Sequence, residues 1–176
     1  MRRLCAFCGS RVGAEPDFVA AAQSLGRSLV INGCALVYGG GCGGMMGAVA
    51  DAVLEAGGEV IGVVPAGLFG DEHVHTGLSE LKEVGSMAER KALMTELSDG
   101  FVTLPGGLGT LDELFEMWAY AQIGLQAHPL GLLNTLGYYD HLLAFLDSTV
   151  ANGYVDDRYR HLLIVDNHPD RLVQRL

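Results

Sequence analysis

The chain has 176 residues, enough for one domain with a substantial core; 49% are hydrophobic and the net charge is −10. No basic run occurs, which argues against a nucleic-acid or anionic-membrane surface, and no apolar run reaches the roughly 18 residues that a membrane span needs. An acidic protein that binds a small phosphate must use backbone dipoles and a few cations; only two lysines, Lys82 and Lys91, are present.

Residues 2–8 predict a first strand. Its apolar segment, Leu4 to Cys8, is strand length, too short for the core of a signal peptide, so the cytoplasm is the expected compartment. Cys5 and Cys8 form a C-x-x-C, but Cys34 and Cys42 do not supply a matching second pair. Reduced structural thiols are therefore expected, with no metal or redox role. Gly9-Ser10 ends the strand, well placed to touch a ligand at the carboxyl edge of a parallel sheet. Residues 16–31 predict a helix with Ala20, Ala21, Leu25, Leu29 and Val30 as its apolar stripe, stopped by Asn32-Gly33. Residues 35–38 predict a second strand, running into the glycine-rich turn 39–44 that includes Gly40 and Gly41. A helix over 45–56 follows.

Residues 59–64 predict a third strand, closed by Pro65. The polar stretch 66–77 carries Asp71, Glu72, His73 and His75. Two histidines beside two acids could hold a metal, but no matched third and fourth ligand accompanies them; a loop near a ligand, with Glu72 accepting from ligand hydroxyls, is the better reading. Residues 81–84 predict a short strand, Ser86 an N-cap, and 87–97 a helix. On that helix Met87, Arg90 and Met94 share one face. A cation among methionines suits either a site or a surface arginine whose stem lies over apolar groups.

Residues 101–104 predict the next strand, followed by Pro105-Gly106-Gly107-Leu108-Gly109-Thr110-Leu111-Asp112-Glu113 and a helix over 111–123. Here a strand, a glycine turn and a helix stand in series. Three glycines in four positions remove the Cβ atoms that would hold a ligand off the backbone. The unpaired N–H groups of the helix's first turn and its dipole favour an anion, and the Thr110 hydroxyl adds a donor. Glu113 sits one turn on. Neither this turn nor 39–44 ends in the Lys-Ser/Thr of a P-loop, so magnesium-dependent triphosphate hydrolysis is not supported. Strands over 130–133 and 162–165, a helix over 138–150 and a terminal helix from Pro169 complete the chain. The β-α alternation predicts one doubly wound parallel sheet with its site at the carboxyl ends of the strands.

CAFCGS, VYGGGCGGMMG, the MAERK run at 87–91, PGGLGTLDE and PLGLLNTLGYYD together resemble the LOG (LONELY GUY) family of cytokinin riboside 5′-monophosphate phosphoribohydrolases, long labelled lysine decarboxylases. The resemblance spans nearly the whole chain. It implies a Rossmann-like fold with helices on both faces, a homodimer, no cofactor, and hydrolysis of the N-glycosidic bond of AMP or prenyl-AMP. It implies Arg90 and Glu113 as the catalytic pair. It implies nucleotide contacts from Lys91, Glu72, Met87 and the stretch Gly106, Gly107, Leu108, Gly109 and Thr110, with Gly9, Ser10, Gly40 and Gly41 around the same pocket. Ala88 stands where family members often have His, and Ala119 where they often have Thr, which bears on base preference more than on chemistry. The alternatives are a general nucleoside-monophosphate nucleosidase, or a nucleotide or cofactor carrier or sensor that cleaves nothing. Amino-acid decarboxylation would need a cofactor lysine, and neither lysine is well placed for one.

Overall fold

The structure, a computed structural model, describes residues 1–67 and 73–176. Among these residues seven strands form one sheet: β1 (Arg2–Phe7), β2 (Cys34–Tyr38), β3 (Val60–Pro65), β4 (Glu80–Val84), β5 (Gly100–Thr103), β6 (Leu130–Leu133) and β7 (Leu163–Asp166). Their order is β4-β3-β2-β1-β5-β6-β7, and every neighbouring pair is parallel. The chain winds outward from β1 to β4, returns to lay β5 on the other side of β1, then winds outward again. The doubly wound sheet expected from the alternation is therefore present, and its reversal lies between β1 and β5.

The helices are α1 (Pro16–Ile31), α2 (Gly44–Glu55), α3 (Met87–Glu96), α4 (Leu108–Gln122), α5 (Asp140–Ala151), α6 (Asp157–Arg160) and α7 (Pro169–Arg175). Successive strand residues point to opposite faces. Leu4, Ala6, Leu36 and Tyr38 pack with residues of α1, α2 and α7; Cys5, Phe7, Val37 and Phe101 pack with residues of α3, α4 and α5. Both faces of the sheet are thus covered, which is why its strands read as continuous apolar runs. No helix among the described residues is long and apolar enough to cross a membrane.

Some boundaries differ from the sequence reading. On α1 the buried stripe runs through Ala22, Leu25 and Leu29, while Ala20 is exposed. In a run of three alanines the pattern cannot distinguish which methyl faces inward. Helix α4 begins at Leu108, three residues before the predicted start, because Gly107 is its extended N-cap and Gly109 lies inside the first turn. Helix α5 begins at Asp140, two residues after the predicted start, and follows a 3-10 turn, Thr135–Gly137, with Leu136 at φ 53. The short α6 has no apolar period and was not expected; the Asp156 carboxylate starts it by accepting from the Arg158 N–H.

Candidate active site

Three loops converge where the strand order reverses, the place at which open α/β sheets form ligand crevices. The Gly9 N–H after β1 donates to the Pro105 carbonyl after β5 at 3.1 Å, and the Met45 N–H of α2 donates to the Gly9 carbonyl at 3.1 Å. Gly44, at φ 61, lies so close to the Ser10–Arg11 peptide that a Cβ there would collide with its carbonyl carbon and nitrogen. Gly106 has the same role on the other side, packed against Thr110 Oγ1 and the Gly9 nitrogen. These close approaches require glycine. They enclose a pocket of about 850 Å³.

Gly9, Ser10, Met87 and Arg90 line this pocket, as do Gly106 to Thr110 and Glu113. Leu108, Gly109 and Thr110 form the first turn of α4, whose N–H groups have no helical acceptor, so this wall offers backbone donors to an anion.

The opposite character comes from α3. Ser86 accepts from the Glu89 N–H at 3.1 Å, and Glu89 reaches back to the Gly85 N–H at 2.7 Å, fixing where the helix begins and hence where the next residue points. That residue is Arg90, only 7% exposed. It is not a surface arginine. Its Nε donates to the Val63 carbonyl at 3.0 Å and its Nη1 to Glu113 Oε1 at 2.9 Å. Burial pushes the Glu113 carboxyl above its ordinary range, and the Arg90 guanidinium opposes that rise. A buried carboxyl group therefore stands at the pocket wall, with a buried cation favouring its ionised form against the effect of burial.

Lys91 points elsewhere. Its Nζ meets Asp112 Oδ2 at 3.0 Å and Glu116 Oε2 at 2.7 Å, bracing α3 against α4, and it does not line the pocket. Gly40 and Gly41 also stand back from the pocket. Gly40, at φ 75, packs against Val64, and the Gly41 carbonyl accepts from the Tyr38 hydroxyl at 3.1 Å. Their neighbour Gly39 lines the pocket instead. Glu72 lies outside the described residues. His75 is engaged within the fold: its Nε2 is 2.8 Å from Asp51 Oδ1, and its Nδ1 accepts from the Gly77 N–H. Burial raises the Cys5 and Cys8 thiols well above their ordinary values, which keeps them protonated. Trp118 belongs to the core, its indole N–H donating to the Tyr159 carbonyl at 2.8 Å.

Sequence reasoning did not single out Arg11, Phe18 or Tyr138, which also line the pocket. The Tyr138 hydroxyl donates to the Gly106 carbonyl at 2.7 Å, and its ring meets Phe18 edge-on. Arg11 had a readable signal: it is a cation directly after the Gly-Ser that ends β1.

A family model described as possible lysine decarboxylase matches residues 46–176. A rice protein (Oryza sativa subsp. japonica) named "Probable cytokinin riboside 5′-monophosphate phosphoribohydrolase LOGL9" is 51% identical over 175 residues, covering 99% of this chain and 77% of that one. The chain belongs to the LOG family. An Arabidopsis thaliana relative, cytokinin riboside 5′-monophosphate phosphoribohydrolase LOG5, is 45% identical, again over 99% of this chain and 77% of its own. Among solved structures, the molybdenum cofactor binding protein of Rippkaea orientalis superposes with a TM-score of 0.75 at 20% identity, over 99% of this chain and 95% of that one. The molybdenum cofactor carrier protein of Chlamydomonas reinhardtii gives 0.74 at 21%, over 99% and 94%. At such identity the likeness is one of fold, and the LOG frame is thus shared with proteins of other tasks.

Proposed function

We propose that this LOG protein hydrolyses the N-glycosidic bond of N6-prenylated AMP or AMP, releasing the free base and ribose 5-phosphate. The observation that carries this reading is the buried Arg90–Glu113 pair at one wall of a pocket whose other wall is the open N-terminus of α4. A pure phosphate binder has no use for a carboxylate there. The α4 N–H groups and Thr110 hold the 5′-phosphate. As the bond from C1′ to the base nitrogen breaks, its electron pair leaves with the base and positive charge builds on the ribose. The Glu113 carboxylate stabilises that charge and orients the water whose oxygen bonds to C1′. Arg90 keeps Glu113 ionised and faces the departing base as a fixed cation. The water's second proton balances the leaving base.

The lysines do not support decarboxylation. Lys82 is paired with Glu80 on the edge strand and Lys91 with Asp112 and Glu116; neither lines the pocket. The reading includes a cytoplasmic homodimer. Support for the dimer comes from α4, where Leu108, Phe115 and the C-cap residue Ile123 are exposed; sedimentation of the purified protein tests it.

The deciding experiment is chromatography of products after incubation with AMP and with isopentenyladenosine monophosphate. Free base and ribose 5-phosphate are expected, and their rate ratio ranks the substrates. Binding without base release overturns the reading.

A further inference from the structure

We infer that Arg11 is the side chain that receives the 5′-phosphate and so makes the pocket select a phosphomonoester over a free nucleoside. The inference rests on the phosphoribohydrolase reading and adds a binding residue to it. Among the described residues, four charged ones line the pocket: Arg11, Arg90, Asp112 and Glu113. Arg90 is spent on Val63 and Glu113, and Asp112 on Lys91. Among the described residues Arg11 has no ion pair and no side-chain hydrogen bond to another residue. It is the pocket's uncommitted cation.

The charge balance calls for one. A phosphomonoester carries about −1.5 to −2 at neutral pH. The N-terminus of α4 supplies roughly half a positive charge. Arg90 and Glu113 offset each other, so that pair adds no net positive charge, and the protein as a whole is at −10. Helix donors alone therefore leave roughly one to one and a half negative charges without a partner. A guanidinium supplies the missing charge and two parallel donors that match a phosphate.

The geometry places it well. The backbone at Arg11 is held by Gly44 of α2, and its own loop is tied through Gly9 to Pro105, two residues before the α4 N-cap. The root of the side chain is thus anchored on the rim that also carries the anion-binding helix turn, and the residue is exposed and lines the pocket. Only the backbone is anchored in advance; the side chain itself is ordered when it closes on a ligand.

The test uses ribose 5-phosphate as the probe, titrated calorimetrically into the wild-type protein, Arg11→Ala and Arg11→Lys, beside steady-state base release from AMP. Thermal unfolding checks that the variants fold. Arg11→Ala is expected to weaken ribose 5-phosphate binding about tenfold to a hundredfold, the span of a charge-assisted hydrogen bond. The KM for AMP should rise by a similar factor while kcat stays within about threefold, and Arg11→Lys should recover part of the loss. Equal binding of ribose 5-phosphate by wild type and Arg11→Ala, or no binding by either, overturns the inference. Absence of base release by the wild type overturns the phosphoribohydrolase reading instead, and leaves the calorimetric comparison to decide Arg11 by itself.

Discussion

The guanidinium of Arg90 occupies the space that a side chain at Gly39 would need. A Cβ built on Gly39 overlaps Arg90 Nη2, with Met46 Cε at 2.8 Å behind it. Elsewhere a flexible arginine could move aside, but this one is held at Val63 and at Glu113. Gly39→Ala should therefore displace the guanidinium from Glu113. Displacement by about an ångström lowers turnover on the order of a hundredfold. Base release measured beside circular dichroism checks this; a folded Gly39→Ala protein with parental kcat would refute it.

Removing either member of the pair should cost more. Arg90→Ala and Glu113→Ala each lose one preorganised charge, worth about 10²–10³ in kcat. Each also strands the other charge inside the protein, at roughly 3–5 kcal/mol of stability. Glu113→Gln keeps an acceptor for Arg90 and should hold the fold better while remaining inactive. Kinetics and denaturant unfolding of the three variants separate the two effects.

The acid limb of the pH–rate profile should lie above the ordinary carboxylate range. Burial raises Glu113, so its catalytic, ionised form is lost at higher pH than for a solvated glutamate. Two neighbours tune that position with opposite signs: Lys91 lowers the Glu113 value and Asp112 raises it. Lys91→Met is expected to move the acid limb to higher pH, and Asp112→Asn to lower pH. Profiles of kcat/KM for AMP read both shifts, and equal displacement in one direction would contradict the assignment.

Stability in acid should trace to Asp166. This carboxylate accepts from Arg171 at 2.8 Å, from Arg175 at 3.3 Å and from the His168 N–H at 2.9 Å, tying β7 to α7. The Arg171 hydrogen bonds hold it down to about 2. Its unfolded value is near 3.9. The contribution is therefore complete above about pH 4 and is lost as the pH falls through about 2. Both arginines are more than half exposed, so solvent screening limits the pairs to about 1 kcal/mol. Asp166→Asn should lower Tm by a few degrees at pH 7, and the gap from wild type should close near pH 2.

Much of this was legible in the residues. The strand over 130–133 and the helix over 16–31 match to the residue, because proline and glycine punctuate them. The crevice follows from glycine turns after β1, β2 and β5. What could not be read is what depends on the register between distant elements. That Arg90 bonds Val63, 27 residues away, follows from how α3 lies on β3. That Gly39 rather than Gly40 or Gly41 faces the pocket depends on the φ 75 turn at Gly40, which five glycines in six residues do not reveal. Lys91 reads as a nucleotide contact beside Arg90, yet on a helix adjacent residues point about 100° apart. One therefore faces the pocket and the next faces α4.

The placement of β5 beside β1 bears on the order in which the molecule is made. Leu4 pairs with Gly100 and Phe7 with Thr103, so β1 keeps one open edge until about a hundred residues have emerged. The β1–β4 half can collapse on its own helices early, since its pairings run strand to next strand. That half carries Arg90's helix and Gly39 close behind it, but not Glu113. During synthesis the guanidinium waits without its carboxylate, and β1 waits with unpaired backbone groups, the kind of exposed edge that recruits other chains. Docking of β5 closes the edge, delivers α4, and neutralises the waiting charge in one event. Long-range pairing of this kind is slow. A nascent chain is thus exposed to aggregation up to the step that completes the pocket.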